Sequence, residues 1–291
     1  MNHAIAGLGE VGRAHAAILK NKFYVYEKDL EDKEPPTEKI DVLHIALNYH
    51  AIGKERFVKI VRDYLKEYKP TFLSILSTVE PGVTESFGPN AVHSTTRGLH
   101  PNLVEGLQKI VKHVGGPKAE VIAKEFNKVG IRCVTHRNSR TSELSHILNN
   151  SAYGVSLMFA DEMAKLCREY GVDYFEAVMK YTATHNEGFR ALDHDRLVRS
   201  ILTPPQGNIK GHCVTQGATL IPEQFRGPML SALASYGASN AKEAVVVRES
   251  DSKRSEPVSE VQSDRAVLPG EKVGDIQDGE PSSSIAEGMG A

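Results

Sequence analysis

The chain has 291 residues, 40% apolar and 25% charged, with 35 Lys and Arg against 37 Asp and Glu for a net charge of −2, the balance of a water-soluble globular protein of one large or two ordinary domains. That near-neutral balance, with no dense Lys/Arg block, argues against a nucleic-acid partner, and no apolar run approaches the ~18–20 residues that cross a bilayer. Three widely spaced cysteines (Cys133, Cys167, Cys213) form neither a disulfide framework nor a metal-binding pair, so no metal is expected, and with no signal-like leader a cytoplasmic location is expected.

The first predicted element is a strand at Ala4-Ile5-Ala6, followed at once by Gly7-Leu8-Gly9-Glu10-Val11-Gly12 and a helix over 10–20. In that setting the glycine spacing carries a mechanism. Gly7 permits the tight turn, Gly9 lets backbone approach a pyrophosphate, and Gly12 lets helix and strand pack closely, while the helix N-terminus faces the phosphates. Phe23 to Tyr26 reads as the next strand, and Glu27 follows it, twenty residues after Gly7. An acidic group there accepts hydrogen bonds from ribose hydroxyls and repels a 2′-phosphate, which favours NAD over NADP despite Lys28 next door.

A charged segment leads to a third strand (Asp41 to Leu47), a helix over 52–68, a fourth strand (Thr71 to Leu76) and a turn, Ser77 to Gly82. Another strand at Ala91 to Ser94 precedes a helix over 102–112, with Val114-Gly115-Gly116 closing that region; a helix over 117–128 and a strand from Ile131 to Thr135 follow. Alternating strands and helices predict a Rossmann-type, doubly wound parallel sheet with its ligand at the carboxyl ends of the strands. The Gly7 loop, Asn48, Ser77-Thr78 and the loop to His100 then share one rim. His93 and His100 lie there too, within reach of a nicotinamide or a substrate carboxylate. Gly7, Gly9, Glu10, Val11, Gly12, Glu27, Asn48, Ser77 and Thr78 are the candidate cofactor contacts.

From Ser142 apolar residues at helical spacing (Leu144, Ile147, Leu148, Val155, Phe159, Leu166) continue to Tyr170, with Gly171 as a stop. So long a helix, apolar on more than one face, suits a domain spine or a homodimer surface over 143–170. Shorter helices, a loop from Pro204 to Cys213 and a last helix over 222–236 are expected next. Beyond Tyr236 no aromatic residue occurs, and 241–291 is expected to form a disordered tail. The resulting division is a dinucleotide-binding domain (1–138), an all-α dimerisation domain (139–240) and the tail (241–291).

Four segments together resemble the UDP-glucose/GDP-mannose dehydrogenase family of the 6-phosphogluconate dehydrogenase-like superfamily: Gly7 to Gly12; Ser77-Thr78-Val79-Glu80-Pro81-Gly82-Val83-Thr84; Glu143-Leu144-Ser145-His146-Ile147-Leu148-Asn149-Asn150; and Gly207-Asn208-Ile209-Lys210-Gly211-His212-Cys213-Val214. The resemblance covers residues 1 to about 236 and implies an NAD-dependent oxidoreductase that converts an alcohol to a carboxylate through a cysteine thiohemiacetal. It places Cys213 as the nucleophile, His146 and Asn150 as acid–base and oxyanion groups, and Thr78 and Glu105 as positioning groups, with a sugar nucleotide or hydroxyacid as substrate. His212 beside Cys213 would lower the thiol's pKa when protonated. The chain also departs from the pattern. His146 replaces a lysine, Gly217 replaces an aspartate, the loop at Pro101 to Gly106 is one residue short, and the family's third domain is not matched. Two other readings therefore stand beside the first: a one-step hydroxyacid or sugar-alcohol dehydrogenase using His146 as base, with Cys213 an ordinary buried cysteine, and a non-catalytic NAD-binding scaffold.

Overall fold

A computed structural model describes residues 1–29, 35–98, 101–205, 209 and 212–236, with the side chains of 212 and 213 excepted. Seven strands, β1 (His3–Ala6), β2 (Val25–Lys28), β3 (Val42–Ile45), β4 (Phe72–Ile75), β5 (Ala91–Ser94), β6 (Lys112–Gly115) and β7 (Cys133–His136), form one sheet in the order β2-β1-β3-β4-β5-β6-β7. Every neighbouring pair is parallel except β5 and β6, which run antiparallel. The α/β fold is therefore as expected, with one correction. The strand β6 falls where the expected helix over 102–112 ends and the Val114-Gly115-Gly116 closure begins; the helix itself, α4, stops at Lys109.

Central strands β1 and β3 are buried on both faces and consist of small and branched apolar residues with a histidine each, the composition that doubly covered parallel strands require. On one face α1 (Glu10–Leu19), α4 (Leu103–Lys109) and α5 (Ala119–Lys128) bury Ile18, Leu107 and Phe126 against Ile5 and Val42. On the other, α3 (Lys54–Tyr68) buries Phe57 and Val61 against Ala4, Leu43 and Ile75. The helix expected over 52–68 is split. A single turn, α2 (Tyr49–Ile52), is separated from α3 by Gly53, whose φ of 78° breaks the helix. Because the chain leaves β1 over one face and β3 over the other, the sheet has its switch point between them, and a crevice opens at their carboxyl ends.

The helix α6 (Ser139–Glu169) runs for 31 residues and ends before Gly171, whose φ is 66°. Its first half crosses β5 and β6, where Gly115 leaves room for Ser142 Oγ and the Asn138 carbonyl that any Cβ would strike. Ile147 joins the same apolar cluster as Val79, Val83, Leu220 and Ile221, so the sheet and the helical region share a core. A π-helical turn (Phe175–Lys180) runs directly into α7 (Tyr181–Ala191), and α8 (His212–Gln216) and a helix over 228–236 pack back on α6. The expected helix over 222–236 thus begins only at 228, after a 3-10 turn at Glu223–Phe225. The tail expected over 241–291, and with it residues 237–240, lies outside the described residues.

The α1 face of the sheet holds an unusual quantity of polar groups. His3 Nδ1 and His44 Nε2 are 3.0 Å apart with their rings stacked. The buried Lys112 donates to Thr95 O at 2.6 Å, meets His15 Nε2 at 2.9 Å, and stands 5.0 Å above the Phe126 ring. Since Val11 O can only accept, its 2.8 Å contact fixes the proton on His15 Nδ1 and leaves Nε2 as the acceptor for Lys112. Burial pulls Lys112 down to about 7 and His3 to about 4, and holds His15 and His44 well below the ordinary histidine value.

These histidines are neutral in the folded chain, whereas the unfolded chain takes up their protons as pH falls below about 6.5. The stability these histidines contribute is therefore full above pH 6.5 and declines as pH drops toward 4, by about 2 kcal/mol at pH 5 for each histidine held near 4. The melting temperature is expected to fall steeply between pH 6.5 and 4.5; a flat profile across that window would contradict this account of the buried histidines.

Candidate active site

The turn after β4 brings the site together. Ser77 Oγ donates to Ile45 O at 3.3 Å, and buried Val79 and Val83 pin the following residues into the core. Gly82, at φ 96°, turns the backbone so that its N–H donates to Glu143 Oε2 at 2.6 Å, while Thr84 N–H donates to Oε1 at 3.0 Å. Burial raises the Glu143 carboxyl above the usual glutamate range, against the pull of those N–H donors.

One turn further along α6, His146 Nε2 lies 3.1 Å from Thr78 Oγ1 and 3.3 Å from Asn150 Nδ2. The Asn150 amide can only donate through Nδ2, so Nε2 carries the lone pair of a neutral imidazole. Burial, followed by the positive charges of Lys112 on β6 and Arg97 after β5, lowers His146 to about 4. His93 stands beneath it. Expected at the rim, it is instead fully buried in β5, bonded to Ser142 Oγ at 3.0 Å and to the Ser77 backbone, and burial with the nearby His146 and Lys112 lowers it to about 3. His146, Asn150 and Gly154 recur every four residues and so share one face of α6. At Gly154 a Cβ would come within 3.0 Å of Val214 in α8 and of Leu233 in the helix over 228–236. The short helix bearing Cys213 therefore rests on α6 one turn beyond Asn150. The side chains of His212 and Cys213, together with His100 and the Gly207 to Gly211 loop apart from Ile209, lie outside the described residues.

At the other end of the rim, Gly7 has φ 96°, and a Cβ there would stand 2.6 Å from Ala46 O. A Cβ at Gly12 would collide with Gly7 O, so these two glycines answer to the fold itself. Gly9 differs. Its φ is −66°, and a Cβ would meet no protein atom within 4 Å, so nothing in the fold demands glycine there. Space kept clear above an uncapped helix end suits a phosphate. Glu10 is exposed in the first turn of α1, and Val11 spends its carbonyl on His15.

Glu27 lies within β2, level with Ile5, and pairs with Lys20 at 2.8 Å. The acidic residue just past the strand is Asp29, beside the point where Gly7 N–H donates to Lys28 O. Sequence reading missed Asp29 because the strand starts two residues later than its aromatic residues suggest. Asn48 caps α2 by accepting from Ala51 N at 3.1 Å. Glu105 is not brought to the Thr78–His146–Asn150 cluster by any described contact. It is exposed on α4 and pairs with Lys109 at 2.7 Å, so a positioning role rests on no contact in the site. Gly217 is buried, with no atom within 4 Å of where a Cβ would stand. Among the described residues, no three His, Cys, Asp or Glu side chains are arranged to hold a metal ion, and no helix is long and apolar enough to cross a membrane.

No model of a known protein family matches the chain. It is 28% identical over 172 residues to the UDP-N-acetyl-D-mannosamine dehydrogenase of Escherichia coli K12, a match covering 56% of this chain and 36% of that one. The enzyme of the same name from Methanococcus vannielii is 25% identical over 272 residues, covering 76% of this chain and 61% of that one. Among solved structures, the UDP-D-ManNAc dehydrogenase from Pyrococcus horikoshii superposes with a TM-score of 0.67 at 18% identity, over 87% of this chain and 72% of the other. In sequence the chain is thus similar to UDP-N-acetyl-D-mannosamine dehydrogenases, and it shares the fold of the solved enzyme. It spans from about a third to three fifths of the length of these curated relatives. Relative to the family pattern, its central helix presents a neutral imidazole where the pattern has an amine.

Histidine side-chain NMR, with His146 assigned by its Gln variant, is expected to show that imidazole titrating near pH 4 with the proton on Nδ1. A titration near 6.5 would mean that water reaches the ring and that the Thr78–His146–Asn150 cluster is open.

Proposed function

We propose that the chain is an NAD-dependent dehydrogenase acting on the CH–OH group of a sugar nucleotide. The observation that carries the reading is the neutral His146 lone pair, held between the Thr78 hydroxyl and the Asn150 amide on the helix face that receives the Cys213-bearing segment. Residues 1–138 are read as the dinucleotide-binding domain and 139–240 as the helical domain.

The cofactor fits the residues present. Gly7, Gly9 and Gly12 form the turn, and the space above Gly9 together with the first turn of α1 (Glu10, Val11) suits its pyrophosphate. An acidic group at the end of β2, Glu27 or Asp29, suits the ribose. Asn48, Ser77 and Thr78 line the remainder of the crevice. NAD, when bound, supplies the hydride acceptor.

His146 Nε2 accepts the proton of the substrate hydroxyl as the C–H bond is oxidised, because its lone pair is more basic than that of the neighbouring hydroxyl or amide. Thr78 Oγ1 and Asn150 Nδ2 donate to the oxygen on which charge develops. Cys213, as the resemblance implies, attacks the aldehyde so that its sulfur and the carbonyl carbon form a thiohemiacetal. Oxidation of that adduct gives a thioester, and water releases the carboxylate. Turnover would then yield two NADH and one carboxylate per alcohol. With UDP-N-acetylhexosamines as first candidates, Cys213→Ser is expected to stop after one NADH, at the aldehyde. A single NADH per substrate with full activity in Cys213→Ala would overturn the two-step reading. Asp29→Asn and Glu27→Gln, compared in NAD and NADP titrations, will show which acid sets cofactor preference: that variant alone is expected to lose NAD affinity and gain NADP affinity.

A homodimer through α6 belongs to the same proposal. Leu144, Leu148, Phe159, Leu166 and Tyr170 are exposed on one stripe within an arc of about 80°, by the helical advance of about 100° per residue. Phe159 is 58% exposed, a large cost for an aromatic ring left in water. The paired variant Leu148→Glu/Phe159→Glu is expected to run as a monomer in size-exclusion chromatography with light scattering. A wild-type chain that is itself monomeric at micromolar concentration would reject this interface.

A further inference from the structure

Glu143 is a carboxylate 1% exposed, on the inner face of α6. A buried charge of this kind is retained only where it is hydrogen-bonded. Its bonding is specific: Oε2 takes Gly82 N–H at 2.6 Å and Oε1 takes Thr84 N–H at 3.0 Å. The nearest cation on the helix, Arg140, is engaged elsewhere, pairing with Glu85 at 2.9 Å. Both carboxylate oxygens therefore serve one object, the turn that begins at Thr78. Arg140 flanks the same turn, standing 3.3 Å from where a Gly82 Cβ would be. Charge-assisted bonds to two N–H groups two residues apart fix both the position and the orientation of a turn, which a single apolar contact does not.

The helix register gives this clamp a consequence. Glu143 and His146 are three residues apart on α6, so the element that grips the turn at Gly82 and Thr84 also presents the imidazole that Thr78 meets at 3.1 Å. The turn is thereby closed at both ends on one rigid helix. We propose that Glu143 is a positioning residue that sets Thr78 against His146. It touches no reacting atom. The assignment rests on the reading of Thr78, His146 and Asn150 as the reactive cluster, but its first test needs no turnover.

In Glu143→Gln the amide keeps one acceptor oxygen, while its NH2 faces the second N–H, so one end of the clamp opens without a change in volume. The His146 titration, followed by NMR in the resting protein, is expected to move up from near 4 by about one unit or more as the turn loosens and water reaches the ring. The kcat for alcohol oxidation is expected to drop about tenfold with KM nearly unchanged. Thr78→Val is expected to do the same, and the double variant to be no slower than Thr78→Val alone. An unchanged His146 titration in a folded Glu143→Gln protein of lower melting temperature would reduce Glu143 to a structural buttress and overturn the proposal. So would rate losses that multiply in the double variant. If no substrate is turned over, the NMR arm still decides the role of Glu143, and only the dehydrogenase reading fails. Should Glu143→Gln not fold, amide exchange in the wild-type protein takes its place. Gly82 and Thr84 N–H are expected to exchange as slowly as the core of α6, and rapid exchange at both would end the proposal.

Discussion

The architecture depends on how closely α6 approaches its neighbours, and three glycines set that approach. At Gly115 the helix start sits against β6 at a distance no side chain tolerates; at Gly82 Arg140 lies alongside the β4 turn; at Gly154 α8 and the helix over 228–236 reach the helix backbone. These contacts occur along a single element, so the cluster on its inner face is located relative to the sheet and to the Cys213 segment together. Interiors pack at crystal-like density and do not deform continuously. An added methyl at Gly115 would meet the Asn138 carbonyl, so it shifts the start of α6 rather than a side chain.

The second constraint is desolvation. The core holds His3, His15, His44, His93 and Lys112 at 1% exposure or less. A buried lysine with no carboxylate partner among the described residues is tolerable because its three directions are occupied by Thr95 O, His15 Nε2 and the face of Phe126. It also acts at a distance. With its charge behind the sheet, Lys112 disfavours a second positive charge at His93 and at His146. The neutral imidazole in the candidate site is thus a property of the whole interior as much as of its immediate neighbours.

Much of this was legible in the sequence because it rests on short-range patterns. The Gly7 loop, β5 and the long helix follow from glycine placement and from helical periodicity. β6 was not, since Lys112-His113-Val114-Gly115 offers one large apolar residue in four, and its lysine is stabilised by partners from α1, the β5 end and α5 that no local window contains. β2 shifted because Phe23 and Tyr24 have the aromatic character of a strand yet precede it. At the site, the pairing of Thr78 with His146 spans 68 residues and could be approached only through family resemblance. The role of Glu143 was not legible, because its hydrogen-bond partners are backbone N–H groups, which leave no trace in residue identity. Glu105 shows the converse: a residue placed by motif alone, found paired with its own helix neighbour on an exposed face.

Under the proposed function, an imidazole where the family pattern has an amine changes what the site must do with charge. An ammonium stabilises a developing alkoxide as a fixed cation but can take up no proton while it remains one. A neutral imidazole accepts the proton and becomes the cation only as the reaction proceeds. At a pKa near 4 that protonated state is costly, so the imidazole is a weak base. It becomes an effective one only where the substrate oxygen it deprotonates loses its hydride in the same step, so that no free alkoxide need form. The proton is then held only while the negative oxygen or its carbonyl product lies within reach. Under the proposed function, Thr78 and Asn150, both in contact with Nε2, hold that oxygen during the exchange. In such a site geometry supplies what a permanent charge would otherwise provide, and the rigidity of the turn gripped by α6 becomes part of the chemistry.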